Sequence, residues 1–352
     1  MSRVTSEDVA RLAGVSRTTV SFVLNNKPDA RISETTRAKV LQAAAKLGYL
    51  PNRIAQSLKT NRTGVIGLVL PTISNSFFPL IAQGVEDTAW KHGYATLICS
   101  SSRNPVKEES YITALASRRV DGVILAPVSG SARHLEPLTR SETPIVSLDR
   151  KLSDSNIDCV RVNDMEGGEM AVSYLLSLGH RNIGFISSPT TVTSRQDRLL
   201  GYRKALEKAR IPYDKRRVLV YEGEEDECLD VTYEFQVGLA LGKRLLEDNP
   251  ETTAIFAAND MIAIGAIKAI QALGLSVPDD VSVIGFDDVP IAQMCIPPLT
   301  TLAQPKYEIG KAATEMLITR VEQGANFDYV GTKLFSPKLV ERESCRPPNR
   351  RL

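Results

Sequence analysis

From residue 65 onward the chain repeats one local pattern: a short apolar run, a turn, then an amphipathic helical stretch. The runs cover residues 65–70, 95–99, 122–126 and 145–148, then 183–186, 218–220, 254–257 and 281–286. Helical patterns such as 78–92, 167–178 and 262–273 stand between them. Runs this short and continuously apolar suit strands buried on both faces. Strands that alternate with helices form parallel sheets covered on either side. Two series of about four strands predict an α/β core of two similar lobes, each doubly wound. Ligands of such lobes collect at the carboxyl ends of the strands. Polar residues stand at those ends: Asp149-Arg150, Asn259-Asp260 and Asp287-Asp288, of which Asp260 and Asp288 also suit capping of the segments that follow.

The segment before residue 65 has a different texture. Thr5 and Asp8 have the spacing of a capping box, and Val9, Ala10, Leu12 and Ala13 share one face of the helix they open. Gly14 supplies the left-handed turn that ends it. Ser16 caps a second helix that turns Val20, Val23 and Leu24 inward and Arg17, Thr18, Ser21 and Asn25 outward. Ser33 opens a third, with Val40, Leu41, Ala44 and Leu47 spaced to pack on the first two, and Gly48 stops it. An isolated pattern of this kind also describes a helical hairpin inside a core. Residues 53–59 are helix-compatible but too short to be stable alone, because nucleation costs more than so few bonds return. A polar linker follows at 60–64.

Charge bears on that choice. The 352 residues carry a net +2, but residues 1–63 hold eleven Lys and Arg against four acids, and the remainder is net −5. A basic head on a mildly acidic body points the head at a polyanion. The five cysteines are scattered and form no Cys-x-x-Cys pair, so free thiols are expected rather than a metal knuckle. No apolar run reaches the roughly twenty residues a membrane span needs, and no signal peptide is legible, so the expected location is the cytoplasm. There is no Gly-x-Gly-x-x-Gly, phosphate loop or Gly-x-Ser-x-Gly elbow, and His92, His134 and His180 stand apart in sequence. The reading is a non-enzyme without cofactor or metal; His180 suits a structural cap.

The chain resembles the lactose-repressor/galactose-repressor (LacI) family of bacterial transcription regulators from about residue 3 to residue 345. The resemblance rests on Asp8-Val-Ala-Arg-Leu-Ala-Gly-Val-Ser16, Thr19-Val-Ser21, Val23-Leu-Asn25, Leu47-Gly-Tyr49 and Pro51-Asn52. Further on come Ile73-Ser-Asn75, Leu178-Gly-His-Arg181, Arg198-Leu-Leu-Gly-Tyr202, Phe256-Ala-Ala-Asn-Asp260 and Gly285-Phe-Asp-Asp288. It implies a helix-turn-helix head (1–50), a hinge helix and linker (51–64), a periplasmic-binding-protein-like core (65–345) and a tail (346–352). The chain is then expected to cross between lobes near 162–164, 292–296 and 323–327. The first lobe becomes 65–163 with 294–322, the second 164–293 with 323–345.

The same resemblance implies a homodimer on a palindromic DNA operator. Arg17, Thr18 and Phe22 would face bases, while Thr5, Ser16, Thr19, Ser21 and Asn25 position the backbone. Phe22 stands where an arginine is the familiar residue; it either meets a thymine methyl or the sugar edge, or packs against Ile32 or the hinge. Leu58 matches the hinge leucine wedged into the minor groove, with Asn52, Ala55 and Lys59 in support. A small polar effector, a sugar by the chemistry of its walls, is expected between the lobes. Its implied contacts are Asn75, Phe77, Phe78, Asp149 and Arg150 from the first lobe, and Arg195, Gln196, Asn259, Asp287 and Gln304 from the second and the returning segment. The place of the ligand arginine, five residues before Gly201, is held by Gln196, with Arg195 beside it.

Overall fold

The computed structural model describes residues 4–24, 32–49, 62–128, 130–150, 152, 157–189, 192–223, 232–324 and 331–349. Asn25, Asn52, Ala55, Leu58 and Lys59 therefore lie outside the described residues, as does most of the expected hinge. The chain divides into two compact units, residues 1–63 and 64–352.

In the first unit α1 (Ser6–Ala13), α2 (Arg17–Leu24) and α3 (Glu34–Leu47) enclose a small core of Val9, Ala10, Val20, Val23, Val40, Ala43 and Ala44. The Thr5–Asp8 capping box is closed in both directions. Gly14 ends α1 at φ 67°, and its amide donates to the Ala10 carbonyl. Ser16 Oγ accepts the Thr19 amide at 3.1 Å, and Ser33 Oγ accepts the Thr36 amide at 3.2 Å. Two inward expectations fail: Leu12 and Leu41 are 47% and 48% exposed. Val40, Ala43 and Ala44 take the buried face of α3, at the i, i+3, i+4 spacing of one helical stripe.

The second unit runs β1 (Val65–Leu70), α4 (Phe78–Lys91), β2 (Ala95–Ser100), α5 (Pro105–Ser117), β3 (Gly122–Leu125), α6 (Glu136–Arg140), β4 (Ile145–Leu148) and β5 (Asp158–Val162). It continues with α7 (Asp164–Ser177), β6 (Ile183–Ser187), α8 (Thr193–Lys208), β7 (Val218–Val220), α9 (Tyr233–Asp248), β8 (Ala254–Ala257), α10 (Asp260–Ala272) and β9 (Ser282–Asp287). β10 (Thr300–Ala303), α11 (Lys306–Gln323), β11 (Thr332–Phe335) and β12 (Lys338–Val340) complete it. The described strands form two sheets of six, ordered β2-β1-β3-β4-β5-β11 and β7-β6-β8-β9-β10-β12. Every pairing is parallel except β10 with β12. Each lobe thus gains strands that the periodicity of the sequence did not announce: β5 and β11 in the first, β10 and β12 in the second.

Those late strands move two of the three expected crossings. The first falls between Val162 of β5 and Asp164 of α7. The second lies after Ala303, not at 292–296, because β10 pairs with β9 of the second sheet. The third lies between Phe335 and Lys338, not at 323–327, because β11 pairs with β5 of the first sheet. α11 does belong to the first lobe, where Ile309, Ala312, Ala313 and Leu317 pack among Ile66, Val146 and Val160. Backbone pairing decided the matter: β10 is Thr-Thr-Leu-Ala, too short and mixed to show by itself which sheet it extends.

The expected tail is also revised. The His180 ring lies 2.9 Å from both Thr253 Oγ1 and the Arg346 carbonyl, and Ser282 Oγ donates to that same carbonyl. Residues 346–349 are thus tied to the second lobe. Burial holds the His180 pKa below its ordinary value, so the neutral ring serves as a structural bridge.

Candidate ligand cleft and nucleic-acid-reading head

The carboxyl ends of the two sheets face one another across a cleft that leaves about 110 Å³ open. Its walls come from the turns after β1, β2, β3 and β4 of the first lobe, and from α8, α9 and the turns after β8 and β9 of the second. β4 and β9 hold equivalent places in their sheets, and each delivers an aspartate with unusual backbone. Asp149 has φ 64° and Asp287 φ 118°. Such conformations cost about 1–3 kcal/mol each for residues with a Cβ, and persist where the surrounding fold imposes them, as it does at ligand sites.

Polar contacts already join the lobes across this space. Ser194 Oγ donates to Asp149 Oδ2 at 3.1 Å. Glu234, buried at the start of α9, accepts Asn75 Nδ2 at 2.8 Å and Arg103 Nη2 at 3.0 Å from the first lobe, and Arg195 Nη2 at 3.4 Å from its own. Burial pushes the Glu234 carboxyl up, but Arg103 and Arg195 together hold it below its ordinary value, so it is ionised. Phe77 and Phe78 meet edge to face, their centroids 5.1 Å apart, on the first-lobe wall.

Arg198 occupies the floor on the second-lobe side. Its Nε donates to Asp164 Oδ1 at 2.9 Å, its Nη1 to the Ala258 carbonyl at 2.6 Å, and Nη1 lies 3.7 Å from Asp287 Oδ1. Burial opposes its charge, yet the carboxylates of Asp164, Asp287 and Asp149 raise its pKa and keep it a cation. Asp164 is lifted to about 7 by burial, with Arg198 pulling it down and Asp149 pushing it up. Burial also raises Asp287, against Arg198 and Lys306.

Most of the expected cleft residues stand on these walls: Asn75, Phe77, Phe78, Asp149, Arg150, Arg195, Asn259 and Asp287. Two do not. Gln196 is exposed and is not among the wall residues; it lies one residue round the helix from Arg195, which is one of them. Gln304 is buried behind Asp287, to which its Nε2 donates at 2.6 Å, so it orients a wall residue rather than forming the wall. The capping role belongs to Asn259, whose Oδ1 accepts the Ile262 amide at 2.9 Å. Asp260 instead accepts the Val289 amide and the Thr301 hydroxyl, and Asp288 pairs with Arg342 at 2.7 Å.

The residues missed from sequence are Arg103, Ser194, Arg198 and Glu234. Arg198 had a visible signal: it opens the Arg198-Leu-Leu-Gly-Tyr202 motif, three places before the glycine rather than five. Arg103 and Glu234 had none, since they are brought together only by the approach of the two lobes.

On the head, α2 presents Arg17, Thr18 and Ser21 to solvent, while Phe22 is half-buried. Ser16 and Thr19 share the cap described above, with their hydroxyls 2.9 Å apart. The Thr5 side chain is engaged with Asp8.

Residues 5–52 match the lacI family of bacterial regulatory proteins, and residues 172–345 match the periplasmic binding protein-like domain. The chain is 38% identical over 354 residues to the HTH-type transcriptional regulator DegA of Bacillus subtilis (strain 168), covering 99% of each. The chain belongs to the LacI family. It is also 36% identical over 346 residues to the HTH-type transcriptional repressor PurR of Vibrio parahaemolyticus, covering 98% of this chain and 99% of the relative. Among solved structures it resembles the lac repressor dimer bound to operator and the anti-inducer ONPF, with TM-score 0.83 and 27% identity over 98% of this chain and 100% of that one. The cellobiose complex of the transcriptional regulator CelR gives TM-score 0.72 and 30% identity, covering 97% and 100%. As a LacI-family member the chain is a DNA-binding transcriptional regulator with a ligand-binding core, not an enzyme.

Proposed function

We propose that this regulator is a repressor that binds a palindromic operator as a homodimer and is switched by a small polyhydroxylated effector, a sugar, held in the interlobe cleft. The cleft chemistry carries this reading. Two strand-end aspartates and the guanidinium of Arg198 converge beside aromatic edges, which suits hydroxyl pairs with an apolar ring face between them. The structural neighbour CelR holds cellobiose. A thermal-shift screen of sugars, nucleosides and phosphorylated metabolites tests it: sugars are expected to raise the melting midpoint. A nucleoside or phosphate response alone would replace the sugar.

For the head, Arg17 and Thr18 are read as base contacts and Ser16, Thr19 and Ser21 as backbone contacts, with Leu58 as the central wedge. The lac repressor was seen as a dimer on its operator. Support for pairing in this chain comes from β2, an edge strand that leaves Leu97 and Ile98 41% and 52% exposed. An apolar edge of that kind is normally covered. Such a protein works in the cytoplasm, where the chromosome is. In a mobility-shift assay with palindromic operators the full chain is expected to bind and residues 65–352 to fail; equal binding by the truncated core would sink the assignment.

A further inference from the structure

Most of the polar contacts between the lobes use cleft-wall residues. One does not. Arg161 Nη2 of β5 donates to Asp197 Oδ2 of α8 at 2.6 Å, with both side chains about one-fifth exposed and neither on the cleft wall. Arg161 lies three residues before Asp164, at the end of the last first-lobe strand before the crossing. Asp197 immediately precedes the floor arginine, Arg198.

The helical spacing makes this arrangement consequential. Ser194, Asp197 and Arg198 are i, i+3 and i+4, so they share one face of the first turns of α8. On that face Ser194 reaches Asp149 of the first lobe, Asp197 reaches Arg161 of the first lobe, and Arg198 reaches Asp164 just beyond the crossing. The turn that presents Arg195 and Arg198 to the cleft is therefore anchored to the opposite lobe at two points, one inside the cleft and one outside it.

We propose that Arg161 and Asp197 are positioning residues for the effector site: their ion pair sets how far the first turn of α8 stands from the first lobe, and so the pose of Arg195 and Arg198. The pair touches no ligand. It biases the cleft toward closure before any effector arrives, and closure is the step on which the population shift between lobe arrangements depends. For its regulatory consequence the inference rests on the effector reading above; the pair's mechanical role does not.

The test is a double-mutant cycle on the ligand-free full chain with Arg161→Gln, Asp197→Asn and both together. Small-angle scattering reports lobe opening, and hydrogen exchange reports the amides of residues 193–198. Each single substitution is expected to raise the radius of gyration and to speed exchange about two- to fivefold, the range that a partly exposed ion pair supplies. The double variant is expected to match either single. In the wild type, raising NaCl is expected to open the lobes in the same direction, and in the double variant to do nothing. A merely structural role predicts no change in radius. Should a single variant fail to fold, Arg161→Lys retains the charge without the planar fork and is expected to fall between wild type and Asp197→Asn. Wild-type radii in all variants, or additive effects in the double, overturn the proposal. Because no ligand is present, a silent effector screen leaves this outcome untouched, and the two failures are distinguishable.

Discussion

The guanidinium of Arg198 lies 3.7 Å from the centre of the Phe286 ring, face on, while its Nε is committed to Asp164. A planar cation held on one face by a ring and by hydrogen bonds to Asp164 and the Ala258 carbonyl has little freedom left, so it lines the cleft in one pose before any ligand is present. Phe286 immediately precedes Asp287 in β9, so one strand end supplies both the ring beneath the guanidinium and a carboxylate 3.7 Å from its Nη1.

Replacing Arg198 tests that arrangement. Arg198→Met leaves Asp164 and Asp287 buried beside a lost counter-charge, and removing one member of a buried ion pair costs about 3–5 kcal/mol. Urea unfolding of the full chain is expected to show a loss of that order. Arg198→Lys keeps a charge but loses both the fork and the stack. It is expected to unfold at intermediate urea and to show no effector-induced thermal shift; a normal shift in Arg198→Lys contradicts the role given to the fork.

Asp164 makes the stability of the core depend on pH. Burial lifts its pKa to about 7 from an ordinary 3.8, so between those values the folded chain retains a proton that the unfolded chain has released. Stability must then fall as pH rises through this window. Burial raises Asp287 and Asp260 as well, and they act in the same direction. Melting midpoints are expected to decline from pH 4.5 to 7.5, and Asp164→Asn to flatten part of that decline. An unchanged slope in the variant would show that Asp164 titrates normally.

The contact between α4 and α11 depends on a glycine. A Cβ at Gly84 would stand 2.2 Å from the Tyr307 carbonyl oxygen, which is backbone and has no room to yield. Overpacking of this kind typically costs about 1–3 kcal/mol. Gly84→Ala is expected to lower the unfolding midpoint of the core in calorimetry while the separate three-helix head melts as before.

The head yields a prediction about sequence preference. Arg17 is exposed on α2, and a bidentate arginine–guanine pair contributes about 1–3 kcal/mol of discrimination. Arg17→Ala is expected to relax preference at one base pair of each half-site by that amount. Phe22 has no groups to read guanine, so selection of binding sites from a random pool is expected to show no strict G·C pair opposite it. Recovery of one there would assign the reading to another residue.

Much of this protein is legible from local pattern. Capping at Thr5, Ser16 and Ser33, the turn at Gly14 and the alternation of strands and helices depend on neighbours a few residues apart, and each stands as the residues indicate. Asp149, Asn259 and Asp287 were legible because strand ends are where open sheets present ligands. Tertiary structure alone decided the rest. β10 and β11 extend sheets whose partners lie far back in the chain, so the crossings at 303–306 and 335–338 follow from hydrogen-bond pairing, which no local periodicity encodes. The same is true of the cleft's charge network. Glu234 meets Asn75 and Arg103 across sequence separations of 159 and 131 residues, and burial in that company sets its ionisation. Sequence determines what each segment forms and which chemistry it carries; the closing of one lobe on the other determines which of those groups meet.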